Sequence, residues 1–321
     1  MNNTFKQLTE FIEQGLERLP YPSEPANLYE PIKYTMCSGG KRLRPVLLLA
    51  TMMAYDKYVG KGLSQALGLE MFHNFTLLHD DVMDNADVRR GRPTVHRRWD
   101  ANTAILSGDA MLTMATRLMG DCDDCHLRAV MEVFNRTAMQ IYEGQQYDMD
   151  FESRNDVSVD EYINMIRLKT SVLLGCACYI GAVLSDAGDY DAEQMYEYGM
   201  QLGIAFQLRD DYLDTYGDPA VFGKAIGGDI LNDKKTWLLI NALTEDKSGV
   251  IENAIGGTIE GEAKIDAVRG VYDALGLPAS INSLIEEYEH KALEALGRTS
   301  MSESGREFFE ELAHEMTGRQ K

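Results

Sequence analysis

Two copies of one acidic pattern constrain this chain more than any other feature. Residues 77–92 read LLHDDVMDNADVRRGR, which puts Asp80, Asp81 and Asp84 at the end of an apolar helical run containing Met71, Phe72, Phe75, Leu77 and Leu78. Residues 205–214 read AFQLRDDYLD, and Asp210, Asp211 and Asp214 repeat the spacing after a second apolar run. Side chains at i and i+4 share a helix face, so the outer aspartates of each copy point the same way, about 6 Å apart along the axis. Carboxylates this close repel one another. A hard cation removes the conflict, because Mg2+ takes oxygen ligands and is usually held by one or two carboxylates, waters and substrate phosphates. One such pattern arises by chance in an acidic chain. Two, on separate helices able to face each other across a cavity, suit a diphosphate clamped through bridging metal ions.

Cations accompany the carboxylates. Arg89 and Arg90 follow the first motif directly, and their forked donors match phosphate oxygens. Upstream, Gly39 and Gly40 mark a turn, and Lys41, Arg42 and Arg44 cluster before a helix expected from about Pro45 to Tyr55, with proline at its first position. A basic turn at a helix N-terminus forms an anion site, since free N–H groups and the dipole add to the side-chain charge. The chain as a whole carries a net charge of −20 and a pI near 4.7. That balance argues against nucleic acid as a partner and against anionic lipid. A phosphorylated substrate then needs local cations and metal to overcome the field.

Helical periodicity runs through 4–19, 63–83, 101–119, 127–150, 160–185, 191–216, 234–245, 262–275, 279–297 and 303–317, punctuated by Gly, Pro, Asp and Asn. No period-two strand, βαβ rhythm, GxGxxG or P-loop stands out. The reading is an all-α single domain over residues 1–321, a helical bundle with its site in the core. No secretory h-region opens the chain and no apolar run reaches the roughly 18–20 residues of a membrane span. The five cysteines, Cys37, Cys122, Cys125, Cys176 and Cys178, are then expected as thiols in a reducing cytoplasm. Cys122 and Cys125 form a CxxC with no second pair, which reads as a connecting loop rather than a zinc or redox site. Polar groups also interrupt apolar helices: Gln145, Gln146 and Asp148 after Gly144, Lys169 and Thr170 before LLGCACYIGA, Gln207 one turn before Asp210 and Asp211, and Lys224 and Lys234 further on. A lysine on an apolar helix needs a counter-charge if buried, and a bound diphosphate supplies one.

Together these residues resemble the trans-isoprenyl diphosphate synthases, the polyprenyl synthetase family. The likeness covers nearly the whole chain: GGKRLRP at 39–45, DDVMD at 80–84, RRG at 89–91, GQ at 144–145, KT at 169–170, FQLRDDYLD at 206–214 and GK at 223–224. It implies an all-α bundle around a deep cavity, a homodimer, and head-to-tail condensation of isopentenyl diphosphate with an allylic diphosphate. By the same resemblance, Asp80, Asp84 and Asp210 ligate three Mg2+ ions, with Asp81, Asp211 and Asp214 supporting them directly or through water. Arg89, Lys169 and Lys224 hold the allylic diphosphate, with Lys234 a further cation beyond the second motif. Lys41, Arg44, His73 and Arg90 hold isopentenyl diphosphate, closed over by Arg319 and Lys321, and Thr170 and Gln207 oxygens stabilise the allylic cation.

Product length is read from the helix before the first motif. Thr76 lies one turn deeper than Asp80, Phe75 about 7.5 Å deeper and Phe72 about 12 Å deeper. A prenyl tail growing along that face meets Phe75 or Phe72, which in the resembled family implies a C15 to C20 product; the absence of a two-residue insertion in the first motif favours geranylgeranyl. The competing readings are core packing for both phenylalanines and a longer-chain product. A terpene cyclase fits less well, having no use for an isopentenyl site, and a non-catalytic partner subunit is expected to lack some of these carboxylates or cations.

Overall fold

The structure is a computed structural model that describes residues 3–218 and 226–318. It contains helices α1 (Asn3–Glu17), α2 (Ala26–Met36), α3 (Leu43–Ala54), α4 (Leu63–Met83), α5 (Val95–Arg98), α6 (Ala101–Met119), α7 (Asp124–Glu152), α8 (Val159–Ile166), α9 (Val172–Val183) and α10 (Asp189–Tyr216). Beyond the second motif come α11 (Gly228–Leu231), α12 (Trp237–Glu245), α13 (Val250–Ile255), α14 (Gly261–Ala274), α15 (Leu277–Gly297) and α16 (Glu303–Thr317). The all-α expectation holds among the described residues, with one small exception. Strands β1 (Val88–Arg89) and β2 (Arg92–Pro93) form an antiparallel hairpin in which Arg89 faces Arg92. Its two turn residues, Arg90 and Gly91, have φ of 51° and 73°. That is the backbone a two-residue hairpin needs, and one residue pair per strand is too short to show as alternation in sequence.

The chain divides into two compact units, each assembled from separated stretches. One comprises Met1–Asn135, Ala177–Glu193 and Ser300–Gly305; the other comprises Arg136–Cys176, Gln194–Thr299 and Arg306–Lys321.

In the first unit, α1 buries Phe5, Leu8, Ile12 and Leu16, the face that their spacing of three and four residues predicts. The α4 helix packs along α6, and α3 packs on α4. Phe72 is fully buried, with its ring 5.6 Å from Phe75 and 5.2 Å from Phe134. Two expectations change here. The α2 helix, absent from the periodic spans, follows directly on Pro25 and contains Pro31, so the prolines after residue 19 that punctuate one helix also lead into another. The α3 helix begins at Leu43, not Pro45; Pro45 still lies in the first turn, where N–H groups have no intrahelical partner.

The second unit packs Tyr162, Leu208, Leu238, Ile240, Ile281 and Ile285 into one core with Trp237. The α8 helix starts in a capping box between Ser158 and Glu161. It continues through a π-helical turn, Arg167–Ser171, into α9. The helical stretch Val159–Val183 is long and apolar enough to cross a membrane by length and composition, although no single run had suggested it; 72% of that apolar window is buried, as in the core helix of a globular protein.

Candidate active site

The first unit holds the basic turn, the first acidic motif and the arginine hairpin. Arg42 leads into α3 with φ of 50° and turns inward, its side chain removed from solvent. It donates to Glu70 Oε1 at 2.6 Å, to Glu13 Oε1 at 2.7 Å and to the Met36 carbonyl at 2.9 Å. Asn74, one turn after Glu70, donates Nδ2 to Glu70 Oε1 at 2.9 Å and accepts from Arg90 Nη1 at 3.3 Å. Arg90 also donates to Ser38 Oγ at 3.2 Å and to the Gly39 carbonyl. A Cβ on Gly40 would come within 3.1 Å of the Arg90 guanidinium, so glycine there lets the arginine lie against the turn. One chain of contacts thus joins Glu13, Arg42, Glu70, Asn74 and Arg90. Of the three clustered cations, Arg42 is the one consumed by the core.

Arg44 and His73 complete this group. Arg44 Nη1 lies 3.1 Å from His73 Nε2. Burial and the surrounding Arg44, Arg90, Arg89 and Arg42 push His73 well below its ordinary range, so the imidazole is neutral and Nε2 accepts from Arg44. Burial pulls Arg44 down to about 10, with Glu70 opposing and Arg90 assisting. Its Nε is buried and has no hydrogen-bond partner. A buried, unmatched guanidinium N–H in a cationic setting calls for an anion.

In the first motif the helix ends at Met83, and Asp84 caps it. Asp81 is buried, Asp80 half-buried and Asp84 exposed. Arg89 Nε donates to Asp81 Oδ1 at 2.6 Å, so the middle carboxylate already has a cation. Burial raises Asp81, opposed by Arg89. Asp81, Arg89, Arg90 and Asn74 line one pocket with Ser38, Leu77 and Leu78.

The second unit repeats this arrangement. Asp211 is buried, whereas Asp210 and Asp214 are half-buried. Tyr162, itself buried, donates its hydroxyl to Asp211 Oδ2, and Gln207 Nε2 donates to Oδ1 at 3.0 Å. Thr170 Oγ1 donates to Gln207 Oε1 at 3.2 Å. Burial and the Asp229 carboxylate push Asp211 up to about 7, against Lys234, Tyr162 and Gln207. Asp214 Oδ2 accepts from the Asp229 backbone N–H at 2.9 Å. Lys169 Nζ pairs with Asp148 Oδ2 at 2.6 Å, and Lys234 lies 3.7 Å from Asp229. Burial opposes the charge on Lys234, but Asp229, Asp211, Asp148 and Asp214 outweigh it and raise the ammonium above its usual range.

Lys169 and Thr170 sit in the π turn of residues 167–171, a local widening frequently found at functional sites. A Cβ on Gly144 would meet the Lys169 backbone nitrogen at 2.4 Å. Glycine is therefore what lets α7 approach this turn. Lys224, Arg319 and Lys321 lie outside the described residues.

Within each unit the residues read from sequence are brought together: Arg44, His73, Arg90, Asp81 and Arg89 in one, and Lys169, Thr170, Gln207 and Asp211 in the other. Among the described residues, no three His, Cys, Asp or Glu side chains converge into a metal cage of their own. Oxygen-only donors with outer aspartates half-buried at Asp80, Asp210 and Asp214 and exposed at Asp84 fit Mg2+ that keeps water and takes phosphate. Glu70, Asn74, Tyr162 and Asp229 were missed in the sequence. Glu70 had a visible signal as a lone acid inside an apolar helix, whereas Tyr162 looked like any core aromatic. Cys125 falls in the first turn of α7 rather than in a loop. Burial and Asp123 raise the Cys122 thiol, so that thiol is not activated.

Comparison with known proteins agrees with this arrangement. The polyprenyl synthetase family model matches residues 25–275. The chain is 38% identical over 295 residues to a geranylgeranyl diphosphate synthase from Methanosarcina mazei, covering 89% of each. It is 42% identical over 226 residues to a geranylfarnesyl diphosphate synthase from Aeropyrum pernix, covering 68% of this chain and 71% of that one. A crystal structure of a geranylgeranyl pyrophosphate synthase superposes with a TM-score of 0.92 at 42% identity over all of both chains. With the family model spanning most of the sequence and the acidic and basic motifs folded as described, the chain belongs to the polyprenyl synthetase family and is a prenyltransferase.

Proposed function

We propose that this prenyltransferase condenses isopentenyl diphosphate with dimethylallyl, geranyl or farnesyl diphosphate, using Mg2+, and that its product is geranylgeranyl diphosphate. Short-chain trans-prenyl transfer follows from the family and from its relatives. The observation that carries the substrate assignment is Arg44, with its buried unmatched Nε beside neutral His73 and Arg90. These groups, with Lys41, take the diphosphate of isopentenyl diphosphate, whose negative charge offsets the burial of the Arg44 guanidinium.

Asp80, Asp84 and Asp210 are the carboxylates that take magnesium, three ions in our reading, with Asp81, Asp211 and Asp214 behind them. Bound magnesium supplies charge neutralisation that makes the allylic diphosphate a leaving group. Lys169 holds the same diphosphate by exchanging its Asp148 partner for phosphate oxygen; Arg89 and Lys224 are assigned alongside it. Thr170 and Gln207 turn oxygens toward the developing allylic cation. The isopentenyl double bond attacks, and the released diphosphate removes the proton. Phe75 and Phe72 close the tail path at the intended length. Exposed Ile105 and Leu106 on α6 support a homodimer, and five free thiols support a cytoplasmic setting.

The test is incubation with labelled isopentenyl diphosphate and each starter, with Mg2+ or EDTA, followed by dephosphorylation and reverse-phase sizing. A Mg2+-dependent ladder ending at C20 is expected. Because two relatives are named geranylfarnesyl diphosphate synthases, a C25 end point is the second reading. Longer products would remove the phenylalanines as a floor, and no incorporation would overturn the reaction.

A further inference from the structure

We propose that Asp211 and Tyr162 are positioning residues that set the amide orientation of Gln207 and thereby make Thr170 present only hydrogen-bond-accepting lone pairs to the reacting allyl group. The inference rests on the prenyl-transfer reading above, in which Thr170 and Gln207 face that group.

The argument is one of hydrogen-bond polarity. A glutamine amide has two ends of nearly equal shape and opposite character, one accepting and one donating. Asp211 accepts a hydrogen bond at each of its two oxygens. Gln207 and Asp211 lie four residues apart on α10, so they share a helix face. Gln207 gives its Nε2 to Asp211 Oδ1 at 3.0 Å, which leaves Oε1 as the free end. Oε1 accepts from Thr170 Oγ1 at 3.2 Å. The one hydroxyl proton of Thr170 is then committed to Gln207, and its lone pairs face elsewhere. The second oxygen of Asp211 accepts the Tyr162 hydroxyl. Tyr162 and Asp211 are only 1% and 3% exposed, so no bulk water competes for these sites and the carboxylate cannot rotate without losing a bond. Each donor in the series points away from the Thr170 lone pairs.

Inverting one member inverts the series. In Asp211→Asn, the new amide oxygen takes the Tyr162 hydroxyl and its NH2 meets Gln207. Gln207 must then turn Oε1 toward position 211 and NH2 toward Thr170. The threonine becomes an acceptor from glutamine, and its proton is directed at a developing cation. Gln207→Glu in the same background restores an acceptor facing Thr170, because a carboxylate accepts at both ends. A role limited to folding predicts no such rescue, since the double substitution only adds a second change to a buried cluster.

The experiment uses the full chain. Steady-state kinetics with geranyl and isopentenyl diphosphates compare wild type, Tyr162→Phe, Asp211→Asn, Gln207→Glu and the Asp211→Asn/Gln207→Glu pair. Calorimetry measures Mg2+-dependent binding of a non-ionisable geranyl thiolodiphosphate. We expect Asp211→Asn to lower kcat by about 100-fold, the size seen when one preorganised polar group is removed. The double variant should recover about tenfold of that loss, with thiolodiphosphate affinity within about threefold of wild type throughout. A kcat loss in Asp211→Asn without recovery in the pair overturns the polarity argument. So does a loss of thiolodiphosphate affinity matching that of Asp210→Ala, because Asp211 is then a metal ligand. Neutron diffraction on wild-type crystals reads the amide directly. Deuterons of Gln207 facing Asp211 support the assignment, and deuterons facing Thr170 overturn it, whatever the turnover. Wild-type protein that incorporates no isopentenyl unit refutes the prenyl-transfer reading instead.

Discussion

Arg42 and Glu70 form a buried ion pair at 2.6 Å, with both side chains almost entirely out of solvent. Glu70 also accepts from Asn74, and Asn74 in turn receives Arg90. The pair therefore links the first unit's core to a cation assigned to substrate. Removing one partner leaves a buried charge unmatched, at about 3–5 kcal/mol. Glu13, partly exposed, offsets some of that for Arg42. Glu70→Gln is expected to lower stability toward the smaller end of this range in urea melts and to raise KM for isopentenyl diphosphate more than for the allylic substrate. Equal KM effects on both would detach Arg90 from this chain of contacts.

Gly144 has no room for a side chain against the Lys169 backbone nitrogen. Because the obstacle is backbone rather than the end of a flexible side chain, Gly144→Ala must move the π turn or α7, at about 1–3 kcal/mol. Turnover is expected to fall more steeply than stability, since Lys169 and Thr170 move with the turn. A variant with wild-type kcat and lowered Tm would show that the turn tolerates displacement.

The outer aspartates of each motif are assigned to metal. Asp80→Ala and Asp210→Ala are each expected to reduce turnover by about 100-fold or more while leaving the helical circular-dichroism signal unchanged. Retained turnover removes that residue from the metal site.

Phe72 is fully buried among aromatic rings and Phe75 is nearly so. Truncating a buried phenylalanine to alanine costs about 3–5 kcal/mol, so Phe72→Ala is expected to lower Tm whether or not it bounds the product. Phe75→Ala is expected to lengthen the product by one or more isoprene units in reverse-phase sizing. Unchanged products would assign Phe75 to the core alone.

Arg154 and the Ser158 cap hold the Glu161 carboxyl down at about 2. A folded-state value below the unfolded one contributes stability above the ordinary glutamate pKa and loses it as pH falls through the folded value. Glu161 is partly exposed, so the effect is small. The Tm gap between wild type and Glu161→Gln should narrow from about pH 6 to about pH 3. A constant gap would show that the charge of Glu161 does not act through this cap.

The helical class, most helix spans, both acidic motifs and the cations that accompany them are legible in the amino-acid sequence alone. Those features are local. A spacing of three and four residues dictates which face of α1 or α4 is apolar, and DDxxD places its carboxylates by helix geometry alone. The hairpin at Arg89–Arg92, the π turn at Lys169–Thr170 and the start of α2 beyond Pro25 were not legible, because each rests on one or two residues with no period to detect. Which members of each cluster act outwardly depends on how the chain packs. Lys41, Arg42 and Arg44 look alike in sequence, yet Arg42 is matched by Glu13 and Glu70 while the buried Nε of Arg44 is left without a partner. Asp81 and Asp211 look like their neighbours, yet Arg89 neutralises one, and Tyr162 with Gln207 saturates the other. The physical reason is the same in each case. Burial makes an unpaired charge costly, and whether a partner from a distant stretch of chain reaches it is a property of the packing, which no single stretch of the chain contains.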